Sequence, residues 1–155
     1  MNNLTTNLNF LSPVGWKLTI DNLKYVNIAY FSTKVTLPTV TVAPTKATYR
    51  NMQGFVPGDF VEYAPLVIDF MIDEDMKNYK EVLNWLSLST AQSRPVMHDL
   101  HLAVMTGKNN LNNQIRFIRA FPTAISPIEF TVQDTDIKYA TATVTFQYDR
   151  YEFME

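Results

Sequence analysis

The residues of this sequence that could do chemistry are few, and two histidines are the first to consider. His98 and His101 flank Asp99 in a His-Asp-Leu-His run. On a helix this spacing would place both imidazoles on one face, where they could share a metal ion. The neighbouring residues alternate between apolar and polar, which is typical of a strand, and a strand points the two rings to opposite faces. We therefore expect packed or surface histidines and no metal site.

Carboxylates are concentrated at Asp69, Asp73, Glu74, Asp75 and Glu81. A glycosidase needs two carboxyl groups that face each other across a cleft. Three of these carboxylates are consecutive and precede a predicted helix, where acidic side chains cap free N–H groups and interact favourably with the helix dipole. A structural role explains them, so we expect no catalytic residue here.

Other motifs of enzymes and cofactor sites are missing from the sequence. It contains no cysteine, and hence no thiolate nucleophile, disulfide or cysteine-based zinc site. No Gly-x-Ser-x-Gly motif is present, and the 4 glycines form no phosphate-binding loop. The sequence predicts a protein that is not an enzyme and that needs no cofactor.

The charge balance gives no general attraction to nucleic acid or to an anionic membrane, because 13 Lys+Arg face 15 Asp+Glu. Arg116 and Arg119, with Arg94 and Lys108 near them in sequence, form the one loose basic group. A solvated face or inter-subunit ion pairs are favoured for this group, and nucleic-acid contact is the alternative. No apolar run approaches the roughly 20 residues of a membrane span. The N-terminus has no secretory signal. We expect a soluble protein made inside the cell, without membrane contact.

The elements that must position these residues are mostly strands. Periods of two indicate about seven of them, separated by Asn- and Pro-rich turns. One helix is predicted over 76–88 from apolar residues at helical spacing. Residues 1–15 show no periodicity and are predicted to form an extended N-terminal arm. The length suits a single domain over 1–155. The predicted fold is mainly β, a β-sandwich or small barrel with one flanking α-helix. The strands are expected at 16–20, 23–31, 35–42, 66–72, 100–104, 115–121 and 140–148.

Residues 43–63 keep no clean period and contain two prolines and two glycines. We predict an extended loop, and a loop of this length inside a compact domain is usually functional. Its aromatic residues need burial, and the loop has no core of its own, so another subunit is expected to cover it. The predicted inter-subunit contacts are Tyr49, Arg50, Phe55, Pro57, Asp59, Phe60 and Tyr63.

The most distinctive string of the sequence spans residues 57–86. It combines turn residues, an acidic helix start and aromatic residues at fixed spacing. Its members are Pro57-Gly58-Asp59, Glu62-Tyr63, Pro65-Leu66, Phe70, Asp73-Glu74-Asp75, Asn78-Tyr79 and Trp85-Leu86. A Phe-Pro-x-x-Ile-Ser connector (121–126) and a Thr/aromatic strand (141–148) follow. Together they resemble the tail tube family of contractile-tailed (myovirus) phages. They are particularly similar to the tube-initiator and tube-like baseplate proteins of T-even-type relatives.

The resemblance implies a phage tail-tube-like fold and a non-enzymatic structural role in the virion tail. Six copies would form a ring whose lumen conducts DNA without sequence preference during ejection. The ring would belong to the tail tube or to its baseplate-proximal initiator. Residues 43–63 would reach a neighbouring subunit or ring. Neighbouring tube or baseplate proteins, the sheath and the tape-measure protein are the partners that the resemblance implies.

Other functions remain open on the sequence alone. A neck-side tail-completion protein and a secretion-system tube protein belong to the same structural class. A small β-sandwich that binds host-surface glycans through exposed Trp and Tyr belongs to another class. A lytic baseplate enzyme would have to use Asp73, Glu74 or Asp75, and we expect no such activity.

Overall fold

The computed structural model describes residues 5–6, 8–21, 23–91, 93–133 and 135–154. Residues 1–4 and 7 of the predicted N-terminal arm lie outside these ranges, and the described part of 5–15 has neither helix nor strand. The elements in chain order are β1 (Trp16–Ile20), a 3₁₀ turn (Leu23–Tyr25), α1 (Val26–Tyr30), β2 (Ser32–Thr36), β3 (Val40–Tyr49), β4 (Met52–Tyr63), β5 (Leu66–Met71), α2 (Lys77–Ala91), β6 (His98–Met105), β7 (Leu111–Ile125), β8 (Thr141–Gln147) and β9 (Arg150–Met154).

The strands form an antiparallel sandwich that confirms the mainly β prediction. Strand order is β1-β6-β7-β8-β5-β2, and β9 pairs with β7. The first part of β7 pairs with β6 and β9, and its last part, from Phe121, pairs with β8. β7 therefore passes from one sheet to the other. Arg119 lies at this transition with a φ of 54°, where the β6–β7 register shifts, as expected of a bulge.

The core lies between the two sheets and under α2. Ile68, Phe117 and Phe146 are fully buried, and α2 adds Trp85 and Val82. The indole of Trp85 stacks on Tyr25 with 4.3 Å between ring centroids. Its Nε1–H donates to the Val96 carbonyl at 2.8 Å, which satisfies the one polar atom of this buried ring.

Two predictions about the helices need correction. Residues 23–31 form a 3₁₀ turn and α1, not a strand, because their buried residues Tyr25, Ile28 and Ala29 recur at helical spacing. The fold therefore has a second, short helix. α2 also runs to Ala91 and not to residue 88. Ser89 and Thr90 are helical, and their hydroxyls donate to carbonyls of the preceding turn instead of ending the helix.

The prediction of an irregular loop over 43–63 is also wrong. The segment forms most of β3 and β4, which pair as a hairpin. The alternation that reveals a half-buried strand is missing because nearly every residue of both strands is exposed on this chain. β9 escaped prediction because the burial of its residues does not alternate, so it shows no period of two.

Neither helix has the length and apolar composition needed to cross a membrane, within the part of the chain that the structure describes.

Candidate functional site

The hairpin formed by β3 and β4 is the feature of this fold that its own core does not explain. The two strands make a separate two-stranded sheet, paired from Val40–Tyr63 at the base to Tyr49–Met52 at the tip. Ten residues of β3 at roughly 3.3 Å each give the hairpin a length of about 30 Å. It forms an arm that extends from the sandwich.

The base of the hairpin is fixed to the sandwich. The Ala64 N–H donates to the Thr39 carbonyl at 2.9 Å. The ring of Tyr63 packs edge-on against Tyr148 and Tyr151, with centroids 6.1 and 5.5 Å away. The Tyr148 hydroxyl donates to the Ala64 carbonyl at 2.7 Å, and burial, followed by the neighbouring tyrosines, raises its pKa to about 12. The hairpin is therefore anchored at one end.

A bulge interrupts the hairpin where the register shifts between Val42 and Pro44. Pro44 stands opposite Pro57, so neither residue can donate a backbone hydrogen bond at this rung. Gly58 follows, and a Cβ atom at this position would overlap the Ala43 carbonyl oxygen. The Pro57-Gly58 pair is thus a steric requirement of the bulge.

Large apolar side chains along the hairpin are exposed. Tyr49, Met52 and Phe60 expose 76–79% of their surface, and Phe55 exposes 66%. A two-stranded hairpin alone is marginally stable in water. Exposed apolar patches of this kind mark interaction sites. The hairpin is therefore a candidate interaction surface. Smaller apolar residues add to it: Val40, Val42, Val56 and Val61.

The predicted inter-subunit residues divide into two groups. Tyr49, Arg50, Phe55, Pro57, Asp59 and Phe60 all lie exposed on the hairpin. Tyr63 is half-buried and already packs within its own chain. Met52 was not among the predicted contact residues. It pairs with Tyr49 across the two-residue turn, and this position beside a predicted contact residue could have indicated it. Their role in contacts between subunits stays a prediction.

The outer face of the sheet that contains β2, β5 and β8 is poor in charge. Asp69 lies between Lys34 and Thr143 on neighbouring strands, and the Thr143 hydroxyl donates to the Asp69 carboxylate at 2.7 Å. Val67 and Thr145 form the adjacent rung of the same face. This outer face is therefore polar and rich in Thr, and it carries little net charge.

The outer face of the other sheet carries ion pairs within the chain. The Arg116 guanidinium donates to the Asp99 carboxylate at 2.8 Å through Nε, and it lies 3.9 Å from Glu152. Arg119 pairs with Asp149 at 3.3 Å. Burial raises the pKa of Asp99, but hydrogen bonds from the Arg119 N–H and from Arg116 outweigh burial and hold that pKa below its ordinary value. These arginines pair within their own subunit.

The remaining candidates for chemistry serve the fold. His98 packs against Tyr25 and Trp85, and burial lowers its pKa despite the nearby charges of Asp21 and Asp99. His101 lies on the same strand three residues on and approaches Gln114. Among the described residues no group of three potential ligands could hold a metal ion.

The acidic run is tied to the start of α2 through one of its members. The Asp73 carboxylate accepts the Asn78 N–H, and the buried Asn78 side chain accepts the Tyr79 N–H and donates to the Met71 carbonyl. Asp75 pairs with Lys77 at 3.6 Å on the surface. Of the three consecutive carboxylates, Asp73 thus has the capping role.

Glu81 is half-buried between α1 and α2. Asn27 donates to its Oε1 at 2.5 Å, whereas Oε2 is buried without a hydrogen-bond partner. Burial raises the pKa of Glu81, and the charge of Asp73 adds to this effect against the Asn27 hydrogen bond. The carboxylate that acts on Glu81 is Asp73, which itself accepts the Asn78 N–H at the start of α2.

Comparison with solved structures identifies the fold. The sequence matches no protein-family model, and no curated protein matches it. The chain is similar to the tube-terminating cap of the anti-feeding prophage, with a TM-score of 0.73, 11% identity, and 98% of this chain and 95% of the other covered. It is similar to the sheath/tube terminator of the extracellular contractile injection system PVC, with a TM-score of 0.70, 14% identity, and 96% and 100% covered. It is also similar to a chain of the PVC sheath-tube complex in the extended state, with a TM-score of 0.67 and 14% identity. That match covers 93% of this chain and 90% of the other. The protein therefore has the fold of the tube and tube-terminator proteins of contractile injection systems.

Proposed function

We propose that this protein is a non-enzymatic structural subunit of a contractile tail, made in the host cytoplasm and built into the virion. Six copies form a ring of the tail tube or of its baseplate-proximal initiator. The hairpin of each copy lies on a neighbouring copy in the ring or in the next ring. Tube or baseplate proteins, the sheath and the tape-measure protein are its further partners.

The exposed hairpin is the observation that carries the proposal. An arm of about 30 Å with bulky apolar side chains is costly in an isolated chain, because it leaves apolar surface in water. Contact with another copy removes that surface. The tube fold supports the same conclusion, since the solved chains of this fold come from a tube, a tube terminator and a tube-terminating cap.

The Thr-rich face of the β2-β5-β8 sheet is proposed to line the lumen. DNA carries a dense negative charge, and a lining rich in Lys and Arg would hold it by its phosphates. Lys34 on this face has Asp69 beside it, and the remaining positions on the neighbouring rungs are Thr or apolar. Such a surface suits non-specific transit of DNA.

Native mass spectrometry of the purified chain tests this proposal. We expect a species with six copies of the 17.8-kDa chain that grows with protein concentration. A Phe55→Asp/Phe60→Asp variant should remain monomeric. Leu111→Asp is the matched control, because Leu111 is 63% exposed but lies outside the hairpin. A wild-type chain that stays monomeric at all concentrations would contradict the proposal.

A terminating ring at the neck end of the tube is the second candidate. The observation that favours it is the fold similarity to a tube-terminating cap and to a sheath/tube terminator, each matched over at least 95% of its own length. A terminator should form single rings that bind the ends of preformed tubes. A repeating tube subunit should form open tubes of variable length.

A further inference from the structure

A pocket lies between the start of α2 and the connector that joins β7 to β8. It has a volume of about 460 Å³, larger than one side chain, and is lined mostly by apolar residues. Phe130 and Tyr139 of the connector line it and are 81% and 75% exposed. Its other apolar lining residues are Ile72, Met76, Ile128 and Ala140, and Glu74 is one of its charged lining residues.

The charge of the pocket is mixed, and one carboxylate is available. Asp73 and Glu74 line it together with Lys138. Asp73 is engaged by the Asn78 N–H, and Lys138 has an interaction partner within its own chain. Glu74 is exposed and belongs to no ion pair among the described residues. Glu74 can therefore form an ion pair with a cationic side chain of another molecule without breaking an ion pair within its own chain.

The distal half of the hairpin has the complementary chemistry. Between residues 44 and 57 the charged side chains are Lys46 and Arg50, both basic. Arg50 occupies the two-residue turn with a φ of 40°, a region that favours Gly or Asn. The apolar side chains of Tyr49 and Met52 flank the turn and expose 77% and 76% of their surface. The hairpin tip thus presents one positive charge, on Arg50, with an exposed apolar side chain on each side of it.

We infer that the hairpin tip, residues 49–52 of one copy, inserts into this pocket of a neighbouring copy, with Arg50 paired to Glu74. Tyr49 and Met52 then cover Phe130 and Tyr139. The inference rests on the proposed function and names its acceptor site. A contact between two different surface regions is heterologous, and such contacts close into rings or continue as stacks. The same contact between tip and pocket could therefore join copies within one ring or copies in two stacked rings.

Charge exchange tests the pairing. Arg50→Glu and Glu74→Lys should each weaken assembly about tenfold or more, which corresponds to about 1.4 kcal/mol, because each change sets two like charges opposite each other. The double variant should recover to within about threefold of wild type. Asp75→Lys is the matched control, because Asp75 is the adjacent carboxylate and does not line the pocket. It should change assembly little, and it should not rescue Arg50→Glu.

Cysteine cross-linking locates the contact without relying on charge, because the chain has no native cysteine. Met52→Cys combined with Tyr139→Cys should give a ladder of disulfide-linked oligomers under oxidation. Met52→Cys combined with Leu111→Cys should give none. Rings that form without this ladder and without sensitivity to the charge changes would overturn the inference and leave the proposed function standing. A wild-type chain that never assembles would overturn both.

Discussion

Phe55 offers the sharpest quantitative prediction, because the ring is exposed in one copy and should be covered in the assembly. An aromatic side chain buries roughly 150–250 Å² in full, so the 66% that Phe55 exposes amounts to roughly 100–165 Å². At about 25 cal/mol per Å² this surface is worth about 2.5–4 kcal/mol when a neighbouring copy covers it completely. Phe55→Ala should therefore weaken each contact between copies about 50-fold or more.

Sedimentation velocity over a series of protein concentrations measures this effect. Thermal unfolding of the dilute chain should change by no more than about 0.5 kcal/mol, because Phe55 is exposed in the single copy. Leu111→Ala is the control for loss of an equally exposed apolar side chain. Assembly of Phe55→Ala within about twofold of wild type would refute the reasoning, since the lost area would then not be at an interface.

Three further predictions concern single residues. Gly58→Ala should destabilise the bulged hairpin by about 1–3 kcal/mol, because the added Cβ would overlap a backbone carbonyl, and it should reduce assembly. Gly54→Ala is the control: its added Cβ would lie 3.7 Å from the nearest carbonyl oxygen, so it should have little effect in the same sedimentation assay. Trp85→Phe leaves the Val96 carbonyl without the hydrogen bond from the buried indole, which costs about 1–3 kcal/mol, and at about 2–4 °C per kcal/mol it should lower the melting temperature by roughly 2–12 °C in a calorimetric scan. The raised pKa of Glu81 means that its native carboxylate is disfavoured, so its contribution to stability falls as pH rises above the ordinary value of 4.5. Glu81→Gln should therefore flatten the loss of unfolding free energy as the pH rises above 4.5 in denaturant titrations, and an unchanged slope would contradict this assignment.

Elements with one buried face could be predicted from the sequence, because burial imposes a period on the residues. β5 and β8 alternate cleanly, since Leu66, Ile68 and Phe70 point inward opposite Val144 and Phe146. α2 was predicted for the same reason, with Trp85 and Val82 on its buried face. Of the three acidic residues before it, Asp73 caps the helix as expected.

The hairpin could not be predicted as a pair of strands because neither of its faces is buried within this chain. Its residues face solvent on both sides, so neither face imposes a period. Composition still predicts a role in contacts between copies, since bulky residues such as Phe55 and Phe60 stand in a segment without a core. The pocket that we assign to the hairpin tip had no sequence signal, because it joins Glu74 to Phe130 and Tyr139 across more than fifty residues of chain.

Negative-stain electron microscopy of the purified full chain, from dilute to concentrated, tests the central claim most directly. The account predicts rings with six-fold symmetry, or hollow tubes made of them, in wild type and in Leu111→Asp. It predicts that these particles disappear in Phe55→Asp/Phe60→Asp, whose folded chains keep the wild-type circular dichroism spectrum. Monomers at every concentration, or rings that persist in the hairpin variant, would contradict the claim that the hairpin assembles this protein into a tube.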